Sequence, residues 1–436
     1  MKYTPLTLIA LLLILLALVC VLGVASALLL RYTSLAANQE IYLLLRGFEE
    51  RRETDMDLTL SVRGDQTVYQ TDMALYVTRC EGKRLSCVQW QGIPFYFCDK
   101  TLLLENGKCC AVGDALPDAT QLLSAAATLY RTLNITVNEE NDVRAFHAVA
   151  DTPEAIASIT DCLPAFMRAA QPQQITLDLI VRDGEIERLD AAWSADGTEV
   201  LASLKLHVAA REHDLPLPVR SAVASGAYWK TEEAGEDLLR LLRAWTELSA
   251  RDPLSADVSL RADCGPLQLD EALGWQRTRQ YGPSVSRLTR RDTSLYLTDA
   301  AACTESGAPF ALDGSVFSRE SELLRLAYEA VLLGDASVET TSGATRYTVT
   351  LDDEAMDRFA ALITSEADLS QISFTDGSVS LLLRDDRLSE LSVSCGGTIR
   401  VVRSDVDAAV SARLVFGPAA SFPALPDAVR EALKLN

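Results

Sequence analysis

The chain has 436 residues, 48% of them hydrophobic and 23% charged, which suits two or three folded domains and excludes a disordered or fibrous polymer. Its formal net charge of −21 argues against nucleic-acid binding, which needs a basic footprint, and against broad docking on anionic lipid surfaces.

The first element is apolar. Leu6 to Leu30 carries no charge, with Lys2 before it and Arg31 closing it. About 20 apolar residues cross a bilayer as a helix. Residues 1–36 therefore read as an N-terminal transmembrane anchor, with residues 6–30 in the membrane. Ala25-Ser26-Ala27 has the small residues of a signal cleavage site, but three leucines follow it, so an uncleaved anchor is favoured. Arg31, Arg46, Arg51 and Arg52 outnumber Lys2, so loop charge by itself leans toward the cytoplasmic side.

Residues 37–53 read as a helix, with Ile41, Leu44, Leu45 and Phe48 at helical spacing. The period then changes to two. Leu58, Leu60 and Val62 alternate with polar residues, and Met73, Leu75 and Val77 do the same. Further strands fall at Val88–Trp90 and Phe95–Phe97. In TLLLENGKCCAV (101–112), Asn106-Gly107 predicts a two-residue type I′ hairpin turn. A helix at 117–133, a strand pair near 135–150 and a helix near 153–169 follow. A hairpin turns at Asp183-Gly184, and a strand runs through Leu204, Leu206 and Val208. Residues 214–230, with Pro216, Pro218 and Gly226, read as a joint.

The order then repeats. DMDLTLSVRGD (55–65) matches SADVSLRADCG (255–265), and TPEAIASITDCL (152–163) matches DDEAMDRFAALI (352–363). TLDLIVRDGEIERLDAAW (176–193) matches SVSLLLRDDRLSELSVSC (378–395), so the offset stays near 200 residues. That period is too long for a solenoid unit and suits a whole domain used twice. The second copy has helices at 235–250, 318–333 and 352–363, strands near 257–262 and 285–299, and closing strands over 371–416. The fold class is α+β with antiparallel meanders, divided into residues 37–221 and 222–436.

Each copy resembles the LolA/LolB/LppX-like family of lipoprotein carriers and lipid-binding domains. The resemblance rests on an opening helix before DMDLTLSV, the central ENGK hairpin and the helix after it. The DGEIERL (183–189) or DDRLSEL (385–391) hairpin and a Pro-containing tail strand complete it. It covers nearly all of 37–436 and is one of pattern, without an invariant signature. It implies a curved antiparallel half-barrel covered by helices, placed outside the cytoplasm, with a cavity for acyl chains or lipids. The tandem use and the retained membrane helix depart from single-domain carriers and argue against free shuttling.

An apolar sheet face must be covered. A loose cover leaves a lined pocket and a tight one makes a core. The candidate lining residues are Leu58, Leu60, Val62, Met73, Leu75, Val77, Trp90, Phe95 and Phe97 in the first copy. In the second they are Val258, Leu260, Leu295 and Leu297. The second copy has fewer aromatic residues in its early strands, which is consistent with a loss of binding there. The resulting expectation is a membrane-anchored, non-enzymatic protein holding a lipid, an acylated protein or another apolar ligand. The alternative is a cavity-free sensor or protein-interaction module of the cell envelope.

No GxSxG, P-loop, GxGxxG, HExxH or DxDxDG string occurs, so no catalytic residue, metal or cofactor is nominated. Only His147, His207 and His213 are present, and His147 reads as structural. The ten cysteines contain no CxxC pair. They are buried thiols or form one or two disulfides, and Cys80 and Cys87 flank a turn across which they would bridge. Adjacent Cys109 and Cys110 point to opposite faces of their strand.

Overall fold

The computed structural model describes residues 36–47, 51, 53–64, 67–98, 101–111, 126–140, 142–160, 172–195, 197–207, 213–226, 233–265, 267–310, 320–364, 372–401, 404–417 and 421–435. The anchor expected at 6–30 lies outside them, as do Cys20, Cys162, Val208 and parts of the helices expected at 117–133 and 153–169. Among the described residues no helix is long and apolar enough to cross a membrane.

Period-two alternation becomes long antiparallel strands. The first copy runs α1 (36–47), β1 (Thr54–Gly64), β2 (Thr67–Cys80), β3 (Lys83–Trp90), β4 (Ile93–Cys98), β5 (Thr101–Leu103) and β6 (Cys109–Ala111). It continues with α2 (126–130), β7 (Ile135–Glu140), β8 (Val143–Ala150), α3 (Pro153–Thr160), β9 (Ile175–Arg182), β10 (Glu185–Ala195), β11 (Thr198–His207) and α4 (Leu217–Ser225). The second copy opens with α5 (Glu233–Ala250), β12 (Leu254–Cys264), β13 (Leu267–Thr278), β14 (Val285–Arg290), β15 (Thr293–Leu297) and β16 (Ala302–Thr304). Then come α6 (Glu320–Leu333), β17 (Ser337–Thr341), β18 (Ala344–Thr350), α7 (Asp353–Thr364), β19 (Ile372–Arg384), β20 (Arg387–Val401), β21 (Ser404–Phe416) and α8 (Asp427–Ala432).

Two sheets form among the described residues. One has 11 strands in the order β6-β5-β4-β3-β2-β1-β11-β10-β9-β8-β7, and the other has 10 in the order β16-β15-β14-β13-β12-β21-β20-β19-β18-β17. The second order is the first with β6 left out. In each sheet one non-sequential pairing, β1 with β11 or β12 with β21, joins the opening strand to the closing one. Neither sheet closes, since the end strands do not pair with each other. The duplication read from the sequence is thus a duplication of topology.

Several local expectations change. Residues 217–225 form a helix where a joint was expected. Pro216 stands at the N-cap, Pro218 lies in the first turn, and Gly226 closes the helix in the left-handed conformation (φ 65°), donating its N–H to Ala222 O and Val223 O. Val219, Ala222 and Val223 are its buried side. The counterpart α8 also follows a proline, Pro426. The Pro-containing tails are therefore helices, not strands, and the boundary expected at 221/222 falls inside α4. A strand at 267–278 was missed, because Glu271 interrupts the apolar alternation of Leu267, Leu269, Leu273 and Trp275.

The turns obey backbone sterics. Asp183 and Gly184 both have positive φ (53° and 78°), as a type I′ turn needs. At the ENGK turn only Gly107 does (φ 84°). Leu104 N–H donates to Lys108 O at 2.8 Å around a three-residue loop, so the two-residue type I′ expectation does not hold. The second copy repeats this loop at Glu305-Ser306-Gly307, with Thr304 N–H on Ala308 O at 2.9 Å.

Gly307→Ala tests that geometry. Gly307 has φ +79°, and an added Cβ meets Ala428 O of α8 at 2.7 Å. Gly184 has a similar φ (+78°) with open space around it. Gly184→Ala should cost about 1–2 kcal/mol for the left-handed conformation alone. Gly307→Ala should cost more in chemical denaturation, because backbone must shift as well.

Candidate binding faces

Alternation puts one residue in two on the same side of each sheet. In the first copy the register aligns Leu58 with Met73 and Leu204, Met73 with Trp90, and Leu75 with Val88. Val88 in turn lies opposite Phe95, and Phe97 opposite Ser86. Leu58, Leu60, Met73, Leu75, Val77, Trp90, Phe95 and Phe97 are all buried in one apolar cluster, with Val62 half-buried at its margin. In the second copy Val258 and Leu297 are buried in the same cluster, and Leu260 and Leu295 pack against it half-buried. Sequence reasoning missed Leu273 and Trp275 on the overlooked β13, and it also missed the aromatic residues that the helices bring.

Those helices join the two copies. α5 packs on β20 of its own sheet and also on β2 and β6 of the first. Trp245 of α5 lies against Trp90 of β3, ring centroids 4.8 Å apart. Its ring also stacks on Tyr328 of α6 at 4.9 Å and 13°. Trp90 donates its indole N–H to Thr71 Oγ1 at 3.1 Å. Polar contacts rim the stack. Asn106 Nδ2 donates to Leu333 O at 2.6 Å, and Lys108 Nζ reaches Gly334 O and, at 3.4 Å, Asp335. The ENGK turn of the first copy therefore caps the C-terminus of α6 in the second, where unpaired carbonyls concentrate negative charge. The β3–β4 turn meets the N-terminal half of α6, with the Arg325 side chain 3.3 Å from where a Cβ on Gly92 would stand.

The second copy's early strands differ at the matching positions. Thr71 and Trp90 correspond to Glu271 and Arg290, and these two form an ion pair. Leu260, Leu273 and Leu295 beside them keep partial exposure.

The outer faces are covered by the terminal helices. α4 seals a cluster of Cys80, Leu85, Cys87, Tyr96, Cys98 and Leu103, while α8 seals Val285, Tyr296 and Cys303. The register places Tyr76 opposite Cys87 and Lys83 opposite Cys80, so the two thiols that flank the turn do not face each other and form no bridge. Burial pushes the Cys87 thiol up to about 12 and raises the Tyr76 phenol. Each histidine meets an aspartate: His147 and Asp178 at 2.8 Å, His207 and Asp57 at 2.7 Å, His213 and Asp55 at 2.6 Å. His213 also stacks on Tyr76, centroids 3.8 Å apart. Among the described residues no cluster of His, Cys, Asp or Glu suits a metal ion. An open groove of about 660 Å³ crosses β20, β21, β12 and β13, bordered by Arg261, Asp263, Gln268 and Asp270.

No family model and no curated protein matches the chain. Among solved structures it is similar to LprF from Mycobacterium bovis, with 14% identity, a TM-score of 0.30, and coverage of 42% of this chain and 97% of that one. It is also similar to the Mycobacterium tuberculosis lipoprotein LppX, with 9% identity, a TM-score of 0.25, and coverage of 41% and 98%. A DUF1329 family protein from Desulfovibrio piger has 7% identity, a TM-score of 0.21, and coverage of 41% and 95%. Each match covers a share of the chain close to one copy.

Thiol labelling checks the burial. Cys87 is held near 12 and Cys395, on the inner face of β20, near 11, both chiefly by burial. Both raised values leave almost no thiolate at pH 8, so neither should react with an alkylating reagent in the native protein. Both should label once guanidinium unfolds the chain. Labelling of either in the native state would contradict the packing.

Proposed function

We propose that the chain is a membrane-anchored, extracytoplasmic, non-enzymatic binding protein. It holds a lipid, an acylated protein tail or another apolar ligand between an open sheet and the helices across it. One observation carries this reading: among the described residues the apolar side of each sheet packs against helices, α5 on β2 and β6 of the first and α5, α6 and α7 on β18, β19 and β20 of the second. A helix can move off a sheet without breaking a hydrogen-bonded ladder, so such a cover can admit a ligand. The apolar stretch at 6–30 supports the anchoring, and the LolA/LppX-like pattern supports the side of the membrane.

The two copies contribute unequally in this reading. Trp90 of the first is taken up by the junction, against Trp245 of α5. The second keeps Leu260, Leu273 and Leu295 partly accessible beside the Glu271–Arg290 pair. Burial of an acyl chain contributes about 0.8 kcal/mol per methylene.

A second reading, a partner-protein module, draws on the sheet edges. β17 is exposed at every residue, and Val338 is 46% exposed on it. Val137 of the matching edge strand β7 is 37% exposed. Such edges accept an added strand.

Organic extraction of the purified full chain followed by mass spectrometry separates these readings. Ligand holding predicts co-purified acyl species that are lost on unfolding, together with saturable displacement of a fluorescent fatty acid. No acyl species and no saturable binding would leave only the edge-strand reading. Leu273→Asp should weaken probe binding by tenfold or more, since it sets a charge in the apolar face.

A further inference from the structure

The turn that docks the first copy on the second carries a chemically labile pair. Asn106 is the one asparagine of six that a glycine follows. Glycine has no Cβ to hinder its backbone nitrogen, so in an Asn-Gly pair that nitrogen can reach the asparagine side chain. The nitrogen loses its proton and bonds to Cγ, the Cγ–Nδ2 bond breaks, and ammonia leaves with that proton. A five-membered succinimide results, and water opens it on either side. One opening gives aspartate. The other gives isoaspartate, whose main chain runs through the former side-chain carbon. In sum one water is consumed and one ammonia released, with no oxidant or other reactant. Asn106 is exposed, so water reaches it and ammonia can depart.

The amide that this reaction removes is in use. Its Nδ2 donates to Leu333 O at 2.6 Å, at the last residue of α6. Its Oδ1 accepts the Lys108 backbone N–H at 3.0 Å, and the Gly107 N–H is given to Leu104 O at 2.8 Å. Cyclisation needs the Gly107 nitrogen released and Cγ turned onto it, so the docked turn holds both reacting groups apart. Two of these bonds lie within the turn. The second copy supplies the rest: Leu333 O for the amide, and Gly334 O and Asp335 for Lys108 Nζ.

The product cannot replace the amide. An ionised carboxylate only accepts hydrogen bonds. At position 106 it would face Leu333 O and the negative end of α6. Isoaspartate also adds a main-chain atom to the loop that Leu104 and Lys108 close. The matching loop of the second copy has Ser306 before Gly307 and no amide to lose.

We propose that Asn106 is a deamidation site gated by the docking of the two copies. Docking protects the amide, and its conversion uncaps α6 and loosens the junction. The change runs one way, so it records how often the copies part. It does not depend on what the sheets hold.

The test ages the full chain in mild detergent at mildly alkaline pH. Peptide mapping by chromatography and mass spectrometry follows amide, aspartate and isoaspartate at residue 106. The urea-unfolded parent sets the unprotected rate. The native parent should convert at least about tenfold more slowly, since reaction waits on local opening. Lys108→Ala removes a docking contact and leaves the Asn-Gly pair intact. It should convert roughly two- to fivefold faster than the native parent, the range of one exposed ion pair. The near-ultraviolet dichroism of the Trp90–Trp245 stack and the melting temperature should both fall in step with conversion. Asn106→Asp should show that fall from the start, and the aged parent supplies the same reading where this variant fails to fold. Conversion as fast in the native as in the unfolded parent, or equally fast in parent and Lys108→Ala, overturns the gating. Unchanged dichroism and melting after conversion overturn the uncapping. An amide that persists in both native proteins while the unfolded chain converts overturns the site.

Discussion

Burial of one helix from two sides organises the molecule. α1 buries Ala37, Ile41 and Leu45, a single stripe against its own sheet. The matching α5 buries Leu238, Leu241, Leu242, Ala244, Trp245 and Leu248, an arc of roughly 160° at 3.6 residues per turn and about twice as wide as that of α1. A helix apolar over so wide an arc needs cover on two sides. It finds one side on β20 and the other on the early strands of the first copy. Removing a tryptophan from such a place costs roughly 3–5 kcal/mol, a large share of the stability of an ordinary domain. The two copies therefore share one apolar cluster and are not independent beads on a chain.

This sharing bears on function. A carrier with a single domain can open its sheet to solvent. Here, parting the early strands of the first sheet from α5 and α6 also frees the last carbonyls of α6 from Asn106 and Lys108. The rim contacts are polar and lie at the surface, where each is worth little. The aromatic stack at the centre holds the larger part.

Much of the fold was legible in the sequence because its signals are local. Alternation at Leu58-Leu60-Val62 gives a strand, helical spacing at Leu238-Leu241-Leu242-Trp245 gives a helix, and Asp183-Gly184 gives a hairpin turn. The internal match made one topology serve for both copies. The misses have physical causes. Glu271 stands at an apolar phase of β13 because it pairs with Arg290, a cross-strand relation invisible along the chain. Pro216 and Pro218 read as breakers, yet both suit the first turn of a helix. Among the candidate lining residues, shared placement on one face followed from alternation. Their cover by a helix 155 positions away, as with Trp90 and Trp245, did not, since no local pattern encodes which helix closes which sheet.

The two copies use one polar device from different sources, and the difference explains their order. In the first copy Asn38 of α1 donates its side-chain amide to Leu133 O at 3.0 Å and Arg131 O at 3.3 Å, closing the turn that ends α2. The residue 200 positions later is Leu238, which is buried and offers no amide. The end of α6 takes its cap instead from Asn106, on a turn of the first copy. The counterpart of that turn in the second copy has Ser306 and Ala308 where the first has Asn106 and Lys108, which removes both capping groups. Trading Asn38 for Leu238 widened the apolar arc of α5, and placing Asn106 and Lys108 on the first copy restored the cap. Trading Trp90 for Arg290 left the second sheet with a face that tolerates water. The direction of the tandem is thus written in a few side chains, with the first copy self-capped and covered and the second capped by its neighbour and partly open.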